Sequence, residues 1–169
     1  MRRSLLSLIA GVAVATAAAA SAQVIKYPNT PPGLILQGAS VGSKSTLLFL
    51  SGQLASPIDP AKATTPAAMA TLTMADFGDT KTQTISTLAK IKAALAARGY
   101  TMADIVKVTV FVAGDPAKGG KMDFAGMNEG FKTFFGTTDN LTTVARSTVQ
   151  VAALAGPAYL VEIEATAAK

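Results

Sequence analysis

"VARSTVQVAAL", residues 144–154, is the stretch on which the fold turns. Val, Thr and Ala at alternating positions suit a pleated element, and Arg146 interrupts them. An arginine on a strand either reaches solvent on an open face or sits where an anion meets it, and most single arginines on strands are solvated. The neighbouring segments decide between these readings.

Alternation assigns faces to each segment. In 143–153, Ala145, Val149 and Val151 form the apolar set, with the small Ser147, and are expected on the covered face; Arg146, Thr148 and Gln150 point the other way. In 158–167, Tyr159, Val161, Ile163 and Ala165 form the core set, so Leu160, Glu162, Glu164 and Thr166 are expected to point with Arg146. "DIVKVTVFVAG" (104–114) is a third strand, with Val106, Val108, Val110 and Val112 on one side and Lys107, Thr109 and Phe111 on the other. The face carrying Arg146 thus mixes charge with Leu160 and Phe111. Such a half-apolar open face predicts burial against another copy of the chain, with Arg146 in or beside the subunit interface.

Two helices separate these strands. "DTKTQTISTLAKIKAALAARG" (79–99) has Thr80 and Gln83 at capping-box spacing, an apolar stripe of Ile85, Leu88, Ile91 and Leu95, and Gly99 as a stop. "DFAGMNEGFKTFFG" (123–136) has Asp123 as N-cap, Gly136 as terminator, and Phe124, Met127, Phe131 and Phe134 on one face, a stripe that reads as core. Upstream, 33–53 reads as two strands around a "GSKS" turn, after a Pro-rich lead-in at 23–32. Residues 54–78 form an extended Pro/Ala/Thr/Met-rich connection, either a loop or the seat of a short helix. The order β-β-α-β-α-β-β predicts one α+β domain over 23–169, a mixed sheet with two helices on one face.

The first 22 residues read as a secretion signal: positive "MRRS", apolar "LLSLIAGVAVATAAAA", and Ala20-Ser21-Ala22 as the cleavage site before Gln23. The expected mature chain is periplasmic or secreted, with no stable membrane association once the signal is cleaved. The formal net charge is +5, of which two units belong to Arg2 and Arg3. The other basic residues are scattered without interleaved aromatics, so no nucleic-acid partner is expected.

The chain has no histidine and no cysteine, which excludes a Ser-His-Asp triad, a thiol nucleophile, a disulfide, and imidazole or thiolate metal ligands. No D-x-D-x-D-G loop is present, and "GDPAKGG" (114–120) lacks the Lys-Ser/Thr of a phosphate loop and reads as a surface turn. Carboxylates, hydroxyls, amides, Lys and Arg remain to carry any chemistry.

"FLSGQ" (49–53), "TQTISTLAKIKAALAARGY" (82–100), "DIVKVTVFV" (104–112), "DFAGMNEGFKTFF" (123–135), "ARSTVQVAAL" (145–154) and "VEIEATA" (161–167), in this order and spacing, resemble the RidA/YjgF family. The resemblance covers about 33–168. It implies a chorismate-mutase-like α+β fold, a homotrimer with three clefts between subunits, and hydrolysis of reactive 2-imino acids or their enamines to 2-oxo acids and ammonia without a cofactor. By position, the family arginine that holds the substrate carboxylate is Arg146 and the glutamate that positions water is Glu162. Ser51, Gly52, Asn128 and Thr148 match its substrate-binding positions. The family's first-strand tyrosine is replaced by Ile35 and the proline before "AR" by Val144. The alternative is a non-catalytic trimer of the same fold that binds small carboxylates or acts as a chaperone. Chemically, an arginine fork binds a carboxylate through two hydrogen bonds, and imine hydrolysis needs only a water placed on an already electrophilic carbon.

Overall fold

The computed structural model describes residues 24–169. The expected secretion signal lies outside the described residues, and so does its cleavage site. In chain order the elements are β1 (Val24–Pro28), β2 (Leu36–Val41), β3 (Leu47–Leu54), α1 (Pro66–Ala70), α2 (Met74–Phe77), α3 (Thr80–Ala96), β4 (Ile105–Ala113), α4 (Phe124–Phe131), β5 (Ala145–Val151) and β6 (Val161–Ala168).

The valines of β4 place it at the centre of a six-stranded mixed sheet, in the order β1-β2-β5-β4-β6-β3. Val106, Val108, Val110 and Val112 are buried, while Lys107, Thr109 and Phe111 are half-exposed on the other side, as the alternation predicts. β6 runs antiparallel to β4 and sets Ala165, Ile163 and Val161 opposite Val108, Val110 and Val112. β3 closes the far side antiparallel to β6, and β5 runs parallel to β4. The two strands expected around the "GSKS" turn form, yet they do not pair with each other: β2 meets β5 at Leu36–Ala145, and β3 pairs with β6. The Pro-rich lead-in supplies β1, antiparallel to β2, because the residues before its prolines keep free backbone groups for an edge ladder.

Helices α3 and α4 pack together over one face of the sheet. Leu88, Ile91 and Leu95 meet Met127, Phe131, Phe135, Val108, Val110 and Ile163 in the core. The start of α3 departs from the sequence reading. Asp79, not Thr80, is the N-cap, its carboxylate accepting from Thr82 N at 2.8 Å. Thr80, Gln83, Thr84 and Thr87 are fully buried, and Ile85 only half-buried. Gln83 is buried because it bonds three backbone groups: it donates to Gly78 O (3.1 Å) and Ala158 O (3.0 Å) and accepts from Leu160 N (2.8 Å).

In α4, Asp123 is the N-cap, accepting from Gly126 N at 3.0 Å. The helix ends at Phe131, earlier than the reading of 123–136, and the buried stripe continues through Phe135, stacked on Phe131 at 4.4 Å, instead of Phe134. Phe124 is 45% exposed and does not join the core. The 54–78 connection holds a 3-10 turn at Pro60–Ala63 and both α1 and α2. It is anchored by Phe77, whose ring lies 4.8 Å from that of Tyr159 beside Ala55 and Ala158. No described helix is long and apolar enough to cross a membrane.

One assignment is corrected. Cross-strand partners share a face, and Val108, Val110 and Val112 pair with Arg146, Thr148 and Gln150. The polar set of β5 therefore lies on the helix side, while Ala145, Ser147 and Val149 share the open face with Lys107, Thr109 and Phe111. Val149 is 43% exposed there and Lys107 donates to Ser147 Oγ at 2.7 Å. Helix α3 lies over β6 and β3, and β5 meets α4 through the Arg146 side chain. Apolar counting fails here because the helix-side residue is an arginine that packs against an amide, a sulfur and an aromatic ring. Leu160, expected on the open face, precedes β6 and is buried in the core.

Candidate active site

Arg146 is half-buried at the margin between β5 and α4. Its guanidinium donates from Nη2 to Asn128 Oδ1 at 2.7 Å and from Nη1 to Met127 Sδ at 3.7 Å. The Phe131 ring lies 4.5 Å from its central carbon and the Phe124 ring 5.9 Å. The i, i+3 and i+4 spacing of Phe124, Met127, Asn128 and Phe131 along α4 brings these groups to one side. Burial pushes the guanidinium pKa below its ordinary value, while arginine still keeps its proton at neutral pH. Among the described residues no carboxylate forms an ion pair with it. The site is a pre-oriented cation with N–H donors left over and a partly apolar wall. That is what a carboxylate or similar planar anion requires.

Thr148 lies on the same side of β5, two residues further on, and its Oγ1 is buried without a hydrogen-bond partner in the described residues. Arg146, Asn128 and Thr148 thus form one group on the helix side.

Glu162, Gly52 and Ser51 form a second group elsewhere. Glu162 pairs with Phe111 across β4 and with Leu54 across β3, on the open face of the sheet. β3 shifts register between Leu50 and Gln53, and Gly52 lies in that irregularity. The carboxylate of Glu162 rests against Gly52: a Cβ there would stand 2.8 Å from Glu162 Cδ. Ser51 is exposed and lines a depression of about 260 Å³ with Phe49, Leu50, Lys107, Thr109 and Glu164. The expectation that Arg146 and Glu162 share a face is therefore corrected. Within one chain they lie on opposite faces of the sheet.

The contacts made by Phe124, Met127 and Phe131 were not legible as part of this site, because their stripe reads as core. The signal available was their spacing on the helix that also carries Asn128. Among the described residues there is no cluster of His, Cys, Asp and Glu able to hold a metal ion.

The family model described as endoribonuclease L-PSP matches residues 39–169. A 2-iminobutanoate/2-iminopropanoate deaminase of Salmonella typhimurium is 35% identical over 149 residues, covering 87% of this chain and 98% of the relative. Among solved structures, E. coli TdcF with bound serine superposes with a TM-score of 0.54 at 33% identity, covering 85% of this chain and 94% of that one. The YjgF gene product of E. coli superposes with a TM-score of 0.52, also at 33% identity and over 85% and 94% of the two chains. The α+β architecture and its residue pattern define a RidA-type fold. The chain belongs to the RidA/YjgF family, whose similar members include named deaminases.

Proposed function

We propose that this protein is a deaminase that hydrolyses reactive 2-imino acids and their enamine tautomers, of the 2-iminopropanoate and 2-iminobutanoate type, to 2-oxo acids and ammonia. The observation that carries the reading is the Arg146 guanidinium, oriented by Asn128 and Phe131 and lacking a carboxylate partner among the described residues. It is supported by the deaminase names of relatives and by serine, an amino acid with a free carboxylate, in TdcF.

In this reading the substrate carboxylate takes two N–H donors of Arg146, which fixes the imine carbon relative to the protein. On the protonated imine, the water oxygen bonds to that carbon as Glu162 accepts one water proton and the C=N electrons move to nitrogen. Glu162 returns the proton to the amino nitrogen of the adduct; the C–N bond then breaks to release ammonia while the hydroxyl oxygen forms the C=O bond and gives its proton back to Glu162. The imine carbon is electrophilic enough that one oriented carboxylate suffices, so the reading calls for no cofactor.

Because Arg146 and Glu162 face opposite sides of one sheet, the site is completed by a second copy. Two different surfaces that must meet make a heterologous interface, and repetition of such an interface gives a ring where its rotation closes. A homotrimer is the proposed ring, with Arg146 of one copy facing Glu162 of the next. Exposed Leu47, Phe49 and Val149 on the open face support its burial in the assembly. The leader at 1–22 supports export to the periplasm or beyond, with cleavage after Ala22.

The family model's description names an RNA-cleaving activity. This chain has no histidine for acid–base work and its basic residues are dispersed, so the anion read by Arg146 is taken to be a carboxylate. The test is turnover. 2-Iminopropanoate is generated from alanine by an amino-acid oxidase, and semicarbazide traps what remains. Competition with trapping supports the deaminase; no acceleration over buffer, across several side-chain sizes, supports the non-catalytic carboxylate binder.

A further inference from the structure

Phe124 is the one member of the α4 aromatic stripe that the core does not use. It is 45% exposed, at the first position of the helix, yet its ring lies 5.9 Å from the Arg146 guanidinium carbon. The preceding Asp123 does not charge this wall: its carboxylate caps Gly126 N and turns toward Lys118 Nζ at 3.9 Å. The rest of the wall on the α4 side is the Met127 sulfur, the Phe131 ring and the Asn128 amide, whose oxygen is taken up by Arg146 Nη2. On the Phe124 side, an anion on Arg146 is bordered by aromatic surface.

We propose that Phe124 is a specificity-determining residue that directs the Arg146 site toward 2-imino acids with apolar or aromatic side chains. The inference rests on the deaminase reading and names the substrate class within it. A carboxylate held by an arginine fork places its carbon about 4 Å from the guanidinium carbon. The side chain of a 2-imino acid begins two bonds beyond that carbon, which brings it within reach of a ring 5.9 Å from the same point. An aromatic or branched side chain buries area against the Phe124 ring; a methyl group gains little, and a charged group is desolvated without a partner.

The test compares wild type, Phe124→Ala and Phe124→Leu on the imines formed by an oxidase from alanine, leucine and phenylalanine, with calorimetric binding of pyruvate and phenylpyruvate alongside. Phe124→Ala is expected to lower kcat/KM for the leucine and phenylalanine imines about tenfold and to change the alanine imine less than about twofold. Phe124→Leu is expected to restore most of the value for the leucine imine. Equal losses on all three imines, or no loss, would overturn the proposal. Should the wild type turn over none of them, the deaminase reading fails and the binding data decide Phe124 alone. A wild-type preference for phenylpyruvate over pyruvate that disappears in Phe124→Ala supports the proposal. A preference that survives the substitution, or none in wild type, overturns it.

Discussion

The Glu162 carboxylate lies across the backbone of Gly52, in space that any side chain at position 52 would occupy. The two residues meet at the β3–β6 irregularity, so the glycine sets where the carboxylate stands. Gly52→Ala is expected to displace it and to lower kcat about a hundredfold, because misplacing a catalytic group by about 1 Å costs that order. Pyruvate affinity, measured by calorimetry, is expected to stay within about twofold, since the Arg146 anchor is untouched. An unchanged kcat would remove Glu162 from the chemistry.

Arg146 and Asn128 are expected to act on binding. Arg146→Lys keeps the charge and loses the fork, so KM should rise at least about tenfold with the assembly intact by light scattering. Asn128→Ala frees the guanidinium to swing and should raise KM in the same direction by less. If Arg146 instead served only as an interface ion pair with Glu162, Arg146→Lys and Glu162→Gln would both cost assembly, with residual activity following the remaining oligomer.

The contact between α3 and α4 depends on Gly130. A Cβ there would stand 2.8 Å from Thr84 Cβ and 2.9 Å from Lys81 O, and the latter is backbone that cannot turn away. Gly130→Ala is expected to destabilise the fold by about 1–3 kcal/mol despite its better helix propensity. Urea unfolding of both proteins checks this; a stabilised variant would show that the helices are less closely packed.

The connection should be acid-labile. Asp76 accepts from Lys62 at 2.7 Å and from the Thr73 amide and hydroxyl, and these bonds hold its carboxyl at about 2, against an ordinary 3.8. A depressed carboxyl contributes stability above its unfolded pKa and loses it as pH falls through the folded one. Amide protection factors in 59–78, referred to the intrinsic exchange rate at each pH, should therefore fall between about pH 4 and pH 2, and Asp76→Asn should remove that fall. Identical profiles in the two proteins would contradict it.

The sequence predicted the central features well where packing and pattern agree. The β4 valines and the Val161, Ile163, Ala165 set of β6 lie beneath the helices, so apolar alternation reported their faces correctly. β5 escapes that rule because its helix-side residue Arg146 meets α4 through a hydrogen bond and a ring rather than apolar packing, and its polar residues turn to the helix side to form the Arg146 site. The cap of α3 is Asp79, one residue before the Thr80 that the spacing favours, because Asp79 competes for the cap and Gln83 is used by Ala158 and Leu160, far away in sequence. Arg146 and Asn128 meet through a side-chain hydrogen bond between β5 and α4, whereas the separation of Glu162 from them depends on strand register, which no local pattern encodes.

Subunit complementation tests the central claim most directly. Arg146→Ala and Glu162→Gln chains, each inactive alone, are unfolded together, refolded at equal ratio and assayed for imine turnover. If each site takes Arg146 from one copy and Glu162 from the next, about a quarter of the sites in randomly mixed rings contain both wild-type residues, and activity returns to about that fraction of wild type. Mixed assemblies that form and remain inactive would contradict a site shared between two copies.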